Sequence, residues 1–327
     1  MGKILKAFAR APGKIILVGE HFVVHGESAI VMAINRYVTV MVEGRSDEVI
    51  HITSDLGISG QYDKDRFHGP RDHQKTLDPI KISILSVLEA LGENQGLDVH
   101  VSSTIPVAVG LGSSGALAVA TVAAVGQYFN NKFQAEELLK LSLNAERYVH
   151  VNPSGVDQAI STYGGAIIYN KQIGLTRLGA PLPIPIVIGN TGIERNTGQL
   201  VDQVRKLKQQ YPQTVNPIFQ SAGELSIQAI EAIRQSNITR LGNLMDINHG
   251  LLMAIGVSHE ALDRLVHIAK QNGALGAKLT GAGGGGCMIA LVAQEQSNQI
   301  AEKLEQGGAT PIIAEKVNTG VRSWISE

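Results

Sequence analysis

Cysteine is almost absent from this chain of 327 residues, with Cys287 standing alone. That excludes an internal disulfide and any cysteine-based zinc site. Aromatic residues make up only 4%, too few for a platform that stacks single-stranded bases. Neither sign of charge dominates: 28 basic residues face 29 acidic ones, for a net charge of −1. Nothing therefore points to nucleic acid or an anionic membrane as a partner. The segment Met1 to Lys14 lacks the continuous apolar core of a signal peptide, and no run of 18 apolar residues follows, so the expected location is cytoplasmic. Internal repeats and low-complexity tracts are also missing. What remains is a chain with 44% apolar residues, long enough for two cores rather than one.

Short β-branched runs dominate the first third, at Ile15–Val18, Ala29–Ile34, Tyr37–Glu43, Val49–Thr53 and Leu97–Ser102. Turn-rich pieces separate them, which predicts a mainly antiparallel sheet. Residues 57–79 are polar and read as an exposed excursion. Helical spacing follows from Pro79 to Leu91 and from Gln134 to Val149, and a further helix is expected to begin near Ser114 and run to about Phe129. Gly179-Ala-Pro-Leu-Pro-Ile-Pro185 puts three prolines in five residues, beyond any helix interior, and marks a domain junction that divides the chain into 1–180 and 181–327. The second half predicts a strand at 184–188, helices at 198–211, 217–235 and 258–272, strands at 275–280 and 287–293, a helix at 295–306 and a last strand at 311–317. Helices and strands interleave without strict βαβ alternation, so the fold class is α+β.

Glycine is concentrated at two places. Lys278-Leu-Thr-Gly-Ala-Gly-Gly-Gly-Gly-Cys287 holds five glycines in ten residues. Glycine inside an element costs about 0.5–1 kcal/mol relative to alanine, so this density makes sense only where backbone comes very close to something or takes positive φ. A phosphate group is the usual visitor, because a loop without side chains can aim several N–H donors at one anion. Ile105-Pro-Val-Ala-Val-Gly-Leu-Gly-Ser-Ser-Gly-Ala116 reads as a strand, a glycine turn, two hydroxyls and a helix start. Its unpaired N–H groups and helix dipole suit an anion, with Ser113 and Ser114 supplying donors or an oxygen for Mg²⁺. Capping of the helix would explain one serine, not three glycines. Both loops fit G-x-G-x-x-G, but neither opens a βαβ unit with an acid at a strand end, which disfavours a dinucleotide fold. Neither contains G-x-x-x-x-G-K-[ST].

Two further segments carry charge among apolar residues. Pro12-Gly-Lys-Ile-Ile-Leu-Val-Gly-Glu-His-Phe-Val-Val-His-Gly26 brings Lys14, Glu20, His21 and His25 into one stretch. Histidines four apart form a metal pair only on a helix, and Phe22 to Val24 reads as strand. Asn144 to Gln158 sets Glu146 near a helix end and Asp157 after the Pro153-Ser-Gly155 turn. Ser154-x-x-Asp157 also has the form of a capping box, so two readings stand here. One is structural; the other uses the two carboxylates for Mg²⁺ and for a substrate hydroxyl.

Pro12-Gly-Lys14 with Gly19-Glu-His21, Gly110-Leu-Gly-Ser-Ser114, and Lys278 to Cys287, in this order, resemble the three motifs of the GHMP kinases. Pro153-Ser-Gly-Val-Asp157, Asn248-His-Gly-Leu-Leu252 and Gly256-Val-Ser258 resemble the branch that phosphorylates mevalonate. The likeness runs from about residue 6 to 317. It implies an N-terminal domain like ribosomal protein S5 domain 2, a ferredoxin-like C-terminal domain, and transfer of phosphate from ATP to the 5-hydroxyl of mevalonate. By position, Gly110, Leu111, Gly112, Ser113 and Ser114 would wrap the ATP phosphates, while Ser114 and Glu146 hold Mg²⁺. Asp157 would accept the proton of the attacking hydroxyl and Lys14 would stabilise the alkoxide. Glu20 and His21 would face mevalonate, and Gly281, Ala282 and Gly283 would close over the site. A homodimer and inhibition by isoprenoid diphosphates, in competition with ATP at the Gly110–Ser114 cradle, are further expectations.

The chain departs from the family pattern in places. Ala108-Val109 precedes Gly110 where Gly-Ala or Gly-Ser is usual, and Gly115 stands where alanine is common. Asn196-Thr197-Gly198 replaces Ser-Thr-Lys, keeping the substrate-side Thr197 and losing the lysine. Lys171 and Arg195 are the candidates for the mevalonate carboxylate. A phosphorylated acceptor would want more basic residues near the first segment than Lys14 and Arg36. A silent, sensor-like relative should have lost Lys14, Glu146 and Asp157, and all three are present.

Overall fold

The computed structural model describes residues 5–64, 66–106, 109–149, 154–179, 185–194 and 196–326. Its first half is built on a long antiparallel pair, β1 (Lys6–Val18) and β2 (Ser28–Gly44). β1 begins well before the expected Ile15. Ala7, Ala9 and Ala11 are buried in alternation with more exposed neighbours, and alanine is a weak sequence signal for a strand. β2 joins the two strands expected at 29–34 and 37–43 without a break. The polar pair between them has partners elsewhere: Arg36 Nη2 donates to Ile313 O at 2.6 Å, and Asn35 Oδ1 accepts from Glu315 N at 2.9 Å.

β3 (Ile50–Ser54), β4 (Ser59–Asp63) and β5 (Arg66–His68) lead into α1 (Arg71–Leu91), followed by β6 (Leu97–Ser103). The segment expected as an exposed excursion is thus a hairpin plus two turns of helix. Pro79, expected at the helix start, lies inside α1. Leu77 is buried with Ile80 and Ile84, so the apolar face extends one turn further back than the proline suggests. α2 (Ser113–Tyr128), α3 (Ala135–Val149) and α4 (Val156–Tyr163) come next, then β7 (Ala166–Asn170) and β8 (Gly174–Leu178). α2 is buried along most of its length and packs on β1 and β2, which its small Ala and Val side chains allow.

The second half holds β9 (Ile186–Asn190), α5 (Thr197–Gln210), α6 (Pro212–Arg234), α7 (Ile238–Ala254), α8 (Glu260–Gln271), β10 (Gly276–Thr280), β11 (Cys287–Leu291), α9 (Ser297–Gln306) and β12 (Thr310–Ala314). α7 was not among the expected helices, and Gly242 and Gly250 weaken its signal. Gly242 is needed because a Cβ there would meet Leu275 O at 2.4 Å. β10, β11, β9 and β12 form an antiparallel sheet in that order. β13 (Arg322–Ser326), also unanticipated, returns to pair with β1.

Among the described residues the large sheet runs β13, β1, β2, β6, β3, β4, β5, with β7 beside the first part of β2 and β8 beyond it. Among the described strands only β3 and β6 pair in parallel. The α+β expectation matches this arrangement. One buried cluster joins α2 and the large sheet to Ile186, Ile188, Cys287 and Ile289 of the second sheet. Much of the proline segment expected as a junction, residues 180–184, lies outside the described residues. No described helix is long and apolar enough to cross a membrane.

Candidate active site

The site begins with an irregularity in β1. Its register with β2 shifts between Pro12 and Gly13 and again between Ile16 and Val18. Bulges of this kind re-aim side chains, and Lys14 lies between the two. Its backbone N–H donates to Leu111 O at 2.8 Å, tying β1 to the first glycine turn. Gly13 permits the approach, since a Cβ there would lie 2.7 Å from Leu111 O. Lys14 is 7% exposed, and its Nζ lies 3.1 Å from Asp157 Oδ1.

Asp157 sits in the first turn of α4, behind Gly155 in a left-handed conformation. The capping-box reading is not realised, because Ser154 Oγ accepts from Val156 N at 3.4 Å and no side chain caps the helix. The carboxylate faces Lys14 instead. α2 starts in the same way, from left-handed Gly112 and without a serine cap. A Cβ on Gly112 would meet Lys14 Cγ at 2.6 Å. The N-terminal end of α2, the Lys14 ammonium and the Asp157 carboxylate are therefore held together by backbone contacts that only glycine allows.

Glu20 and His21 occupy the corner after β1. The strand expected at Phe22 to Val24 is a 3-10 turn, Phe22–His25, because Phe22 is drawn inward against Phe219 with ring centroids 5.1 Å apart. His21 has φ 55, and its Nε2 lies 2.7 Å from Ala282 O. Glu20 and Lys278 form a fully buried ion pair, and Asn248 Nδ2 donates to Glu20 Oε2 at 3.2 Å. Burial pushes the Glu20 carboxyl up from its usual range, against the pull of Lys278. The Glu20 carboxylate is thus held by Lys278 and Asn248 together.

The glycines from 281 to 286 bend the chain between β10 and β11, with Gly281, Gly283, Gly284, Gly285 and Gly286 all at positive φ. Much of their close approach is to the protein itself. Gly284 N donates to Val257 O at 2.9 Å and Gly286 N to Ile193 O at 3.0 Å. A Cβ on Gly283 would meet Val257 O at 1.9 Å.

These elements enclose a cavity of about 690 Å³. Of the residues anticipated from sequence, Lys14, Glu20, His21, Gly110, Asp157, Thr197, Gly281 and Ala282 line it. Lys171, a candidate for the carboxylate, lines it too; Arg195 lies outside the described residues. Leu111, Gly112, Ser113, Ser114, Glu146 and Gly283 do not line it. The Leu111 side chain belongs to the core, while Ser114 is exposed in the first turn of α2. Sequence reading gave no role to Tyr169 or Val201 on the cavity wall, nor to Lys278 behind it, and gave Ser154 only a capping role. Tyr169 belongs to β7, whose short run Ala-Ile-Ile-Tyr-Asn carried enough β-branched character to be found.

No group of three or more His, Cys, Asp or Glu side chains suited to a metal occurs among the described residues. Mg²⁺ does not need such a cage, since one or two carboxylates with substrate phosphates hold it. The donor set fits that pattern: an exposed Ser114 hydroxyl at the start of α2 and a Glu146 carboxylate on α3, packed beside α2.

Comparison with known proteins follows the same geography. The family model described as GHMP kinases N terminal domain matches residues 80–165, and GHMP kinases C terminal matches 229–310. A galactokinase galactose-binding signature matches 2–43. The chain is 39% identical to the mevalonate kinase of Thermococcus sibiricus, over 97% of this chain and 98% of the relative. It is also 39% identical to that of Pyrococcus horikoshii, over 96% of each. Among solved structures, Methanococcus jannaschii mevalonate kinase superposes with a TM-score of 0.86 at 28% identity, covering 97% and 99% of the two chains. The L. major mevalonate kinase in complex with R-mevalonate gives 0.81 at 28%, covering 98% and 97%.

Proposed function

The chain belongs to the mevalonate kinase branch of the GHMP kinases, and from that premise we propose that it transfers the γ-phosphate of ATP to the 5-hydroxyl of mevalonate. Family membership carries the reaction class, ATP-dependent phosphoryl transfer to an alcohol. The observation that carries the site is the Lys14–Asp157 pair, 3.1 Å apart, on the wall of a cavity that also reaches Gly110 and the glycine loop.

Phosphoryl transfer leaves the protein little covalent work, so position and charge must supply the rate. In this reading the acceptor hydroxyl lies against Asp157, whose carboxylate orients it and takes its proton. Lys14 offsets the negative charge that develops on the attacking oxygen. The open N–H groups of α2 face the phosphates. Ser114 and Glu146 would hold Mg²⁺, which supplies charge neutralisation on the phosphate oxygens. Lys171 and Tyr169, which also line the cavity, fit the carboxylate end of the acceptor. His21 shapes the wall through its contact with Ala282 O. Isoprenoid diphosphates would compete with ATP at the α2 cradle, since both present a diphosphate.

The match of residues 2–43 to a galactose-binding signature favours testing a sugar acceptor as well. A coupled ADP-release assay with Mg·ATP against mevalonate, phosphomevalonate, homoserine and galactose decides among them. Turnover on mevalonate alone is expected. Turnover on another acceptor would refute the substrate while leaving the reaction class intact.

A further inference from the structure

Lys278 opens the glycine segment, yet the phosphate cradle gives its charge nothing to do. Its side chain and that of Glu20 are both wholly buried, and they pair across a separation of 258 residues. Lys278 Nζ also donates to Leu279 O at 2.5 Å. With Asn248 on the other carboxylate oxygen, Glu20 is gripped from β10 and from α7 at once. A buried ion pair adds little net stability over an apolar pair of like volume. What it does fix is registry, because a slipped partner leaves a charge buried alone.

Both ends of this pair lead to the cavity. After Glu20 comes His21, whose ring meets Ala282 O. From Lys278, β10 runs through Thr280 straight into the glycine loop. The Thr280 hydroxyl brackets Ile16 of β1, accepting from its N–H at 3.0 Å and donating to its carbonyl at 3.1 Å. A polar chain continues on the other side. Leu279 N donates to His249 Nδ1 at 3.4 Å, His249 Nε2 lies 3.4 Å from Asp263 Oδ1, and Ser258 Oγ donates to that same oxygen. Val257, next to Ser258, holds Gly284 N. Burial, with Lys278 nearby, keeps His249 below the usual imidazole range, which suits an acceptor role for Nδ1.

We propose that Lys278 is a positioning residue: through Glu20 it holds the His21 corner of the acceptor wall and the Gly281–Gly286 loop in one register. Resting on the mevalonate reading above, an acceptor seated against His21 then stabilises the loop conformation that the nucleotide meets. Binding of the two substrates is synergistic for that reason.

The test measures the affinity of a non-hydrolysable ATP analogue with Mg²⁺, with and without saturating mevalonate, by calorimetry. Wild type, Lys278→Met, and Glu20→Gln combined with Lys278→Met are compared, each with a melting temperature. In the wild type mevalonate tightens the analogue by about fivefold or more. Lys278→Met loses both melting temperature and synergy, since it leaves the Glu20 charge unpaired. The double variant recovers melting temperature, because no buried charge is left alone, yet its two affinities stay equal. A double variant with wild-type synergy would overturn the proposal, as would a wild type in which the ligands bind independently. ADP release by the wild type with mevalonate keeps the two readings apart. Its absence refutes the acceptor, whereas turnover with unchanged synergy in the double variant refutes only the role of Lys278.

Discussion

Gly115 and Asp157 are in such close contact that a Cβ on the glycine would lie 2.7 Å from the Asp157 Cβ and 2.9 Å from its carbonyl carbon. The helix carrying the phosphate cradle and the helix carrying the carboxylate therefore pack with no room for a side chain at Gly115. Gly115→Ala should push Asp157 away from Lys14 while leaving the cradle N–H groups in place. A misplacement near 1 Å at a reacting group costs about 100-fold. We expect kcat to fall by about 10- to 100-fold with little change in KM for ATP. Steady-state kinetics check this, and an unchanged kcat would show that α4 relaxes freely.

The glycine loop offers a separate test. Gly283 has φ 76 and no room for a side chain beside Val257 O. Gly283→Ala should destabilise the fold by about 1–3 kcal/mol and raise KM for ATP, because the loop must lift from Val257. Urea unfolding together with ATP titration would register both effects. Wild-type stability would mean that the loop's glycines serve the nucleotide alone.

His25 and His249 make stability depend on pH with a definite sign. Burial is the first cause holding both below the imidazole value of 6.5, helped by Lys208 beside His25 and Lys278 beside His249. As pH falls through that value, the unfolded chain takes up protons that the native state refuses, so stability drops. Glu20, pushed up by burial, acts in the opposite direction, so a comparison of variants isolates the histidines. The urea midpoint of the wild type should decline from about pH 6.5 downward, and the decline should be smaller in His25→Gln with His249→Gln. Equal declines would contradict the assignment.

Much of the candidate site was legible in the sequence because its residues fall in local runs. The Gly110–Ser114 turn, Lys14 after Pro12-Gly13, and Asp157 after Ser154-Gly155 each carry a backbone signal that glycine or proline makes visible. The fold was legible where side chains follow a period, as in α3 and α8. It was not where tertiary contacts override local preference. The alanines of β1 suit close packing under α2 rather than strand propensity, and Gly242 in α7 answers to Leu275, just ahead of β10. Phe22 turns inward to Phe219 instead of continuing a strand. The Glu20–Lys278 pair has no local signature at all, because its partners meet only once both halves have folded.

One measurement bears most directly on the Lys14–Asp157 pair as the centre of phosphoryl transfer. Asp157→Asn keeps the shape and size of the side chain but removes the acceptor of the hydroxyl proton and the partner of Lys14. Turnover of Mg·ATP with mevalonate is measured beside the affinity of a non-hydrolysable ATP analogue. We predict that kcat falls by about 100- to 10,000-fold while the analogue binds as it does to the wild type. Near-normal turnover in Asp157→Asn would contradict the account and move the chemistry elsewhere in the cavity.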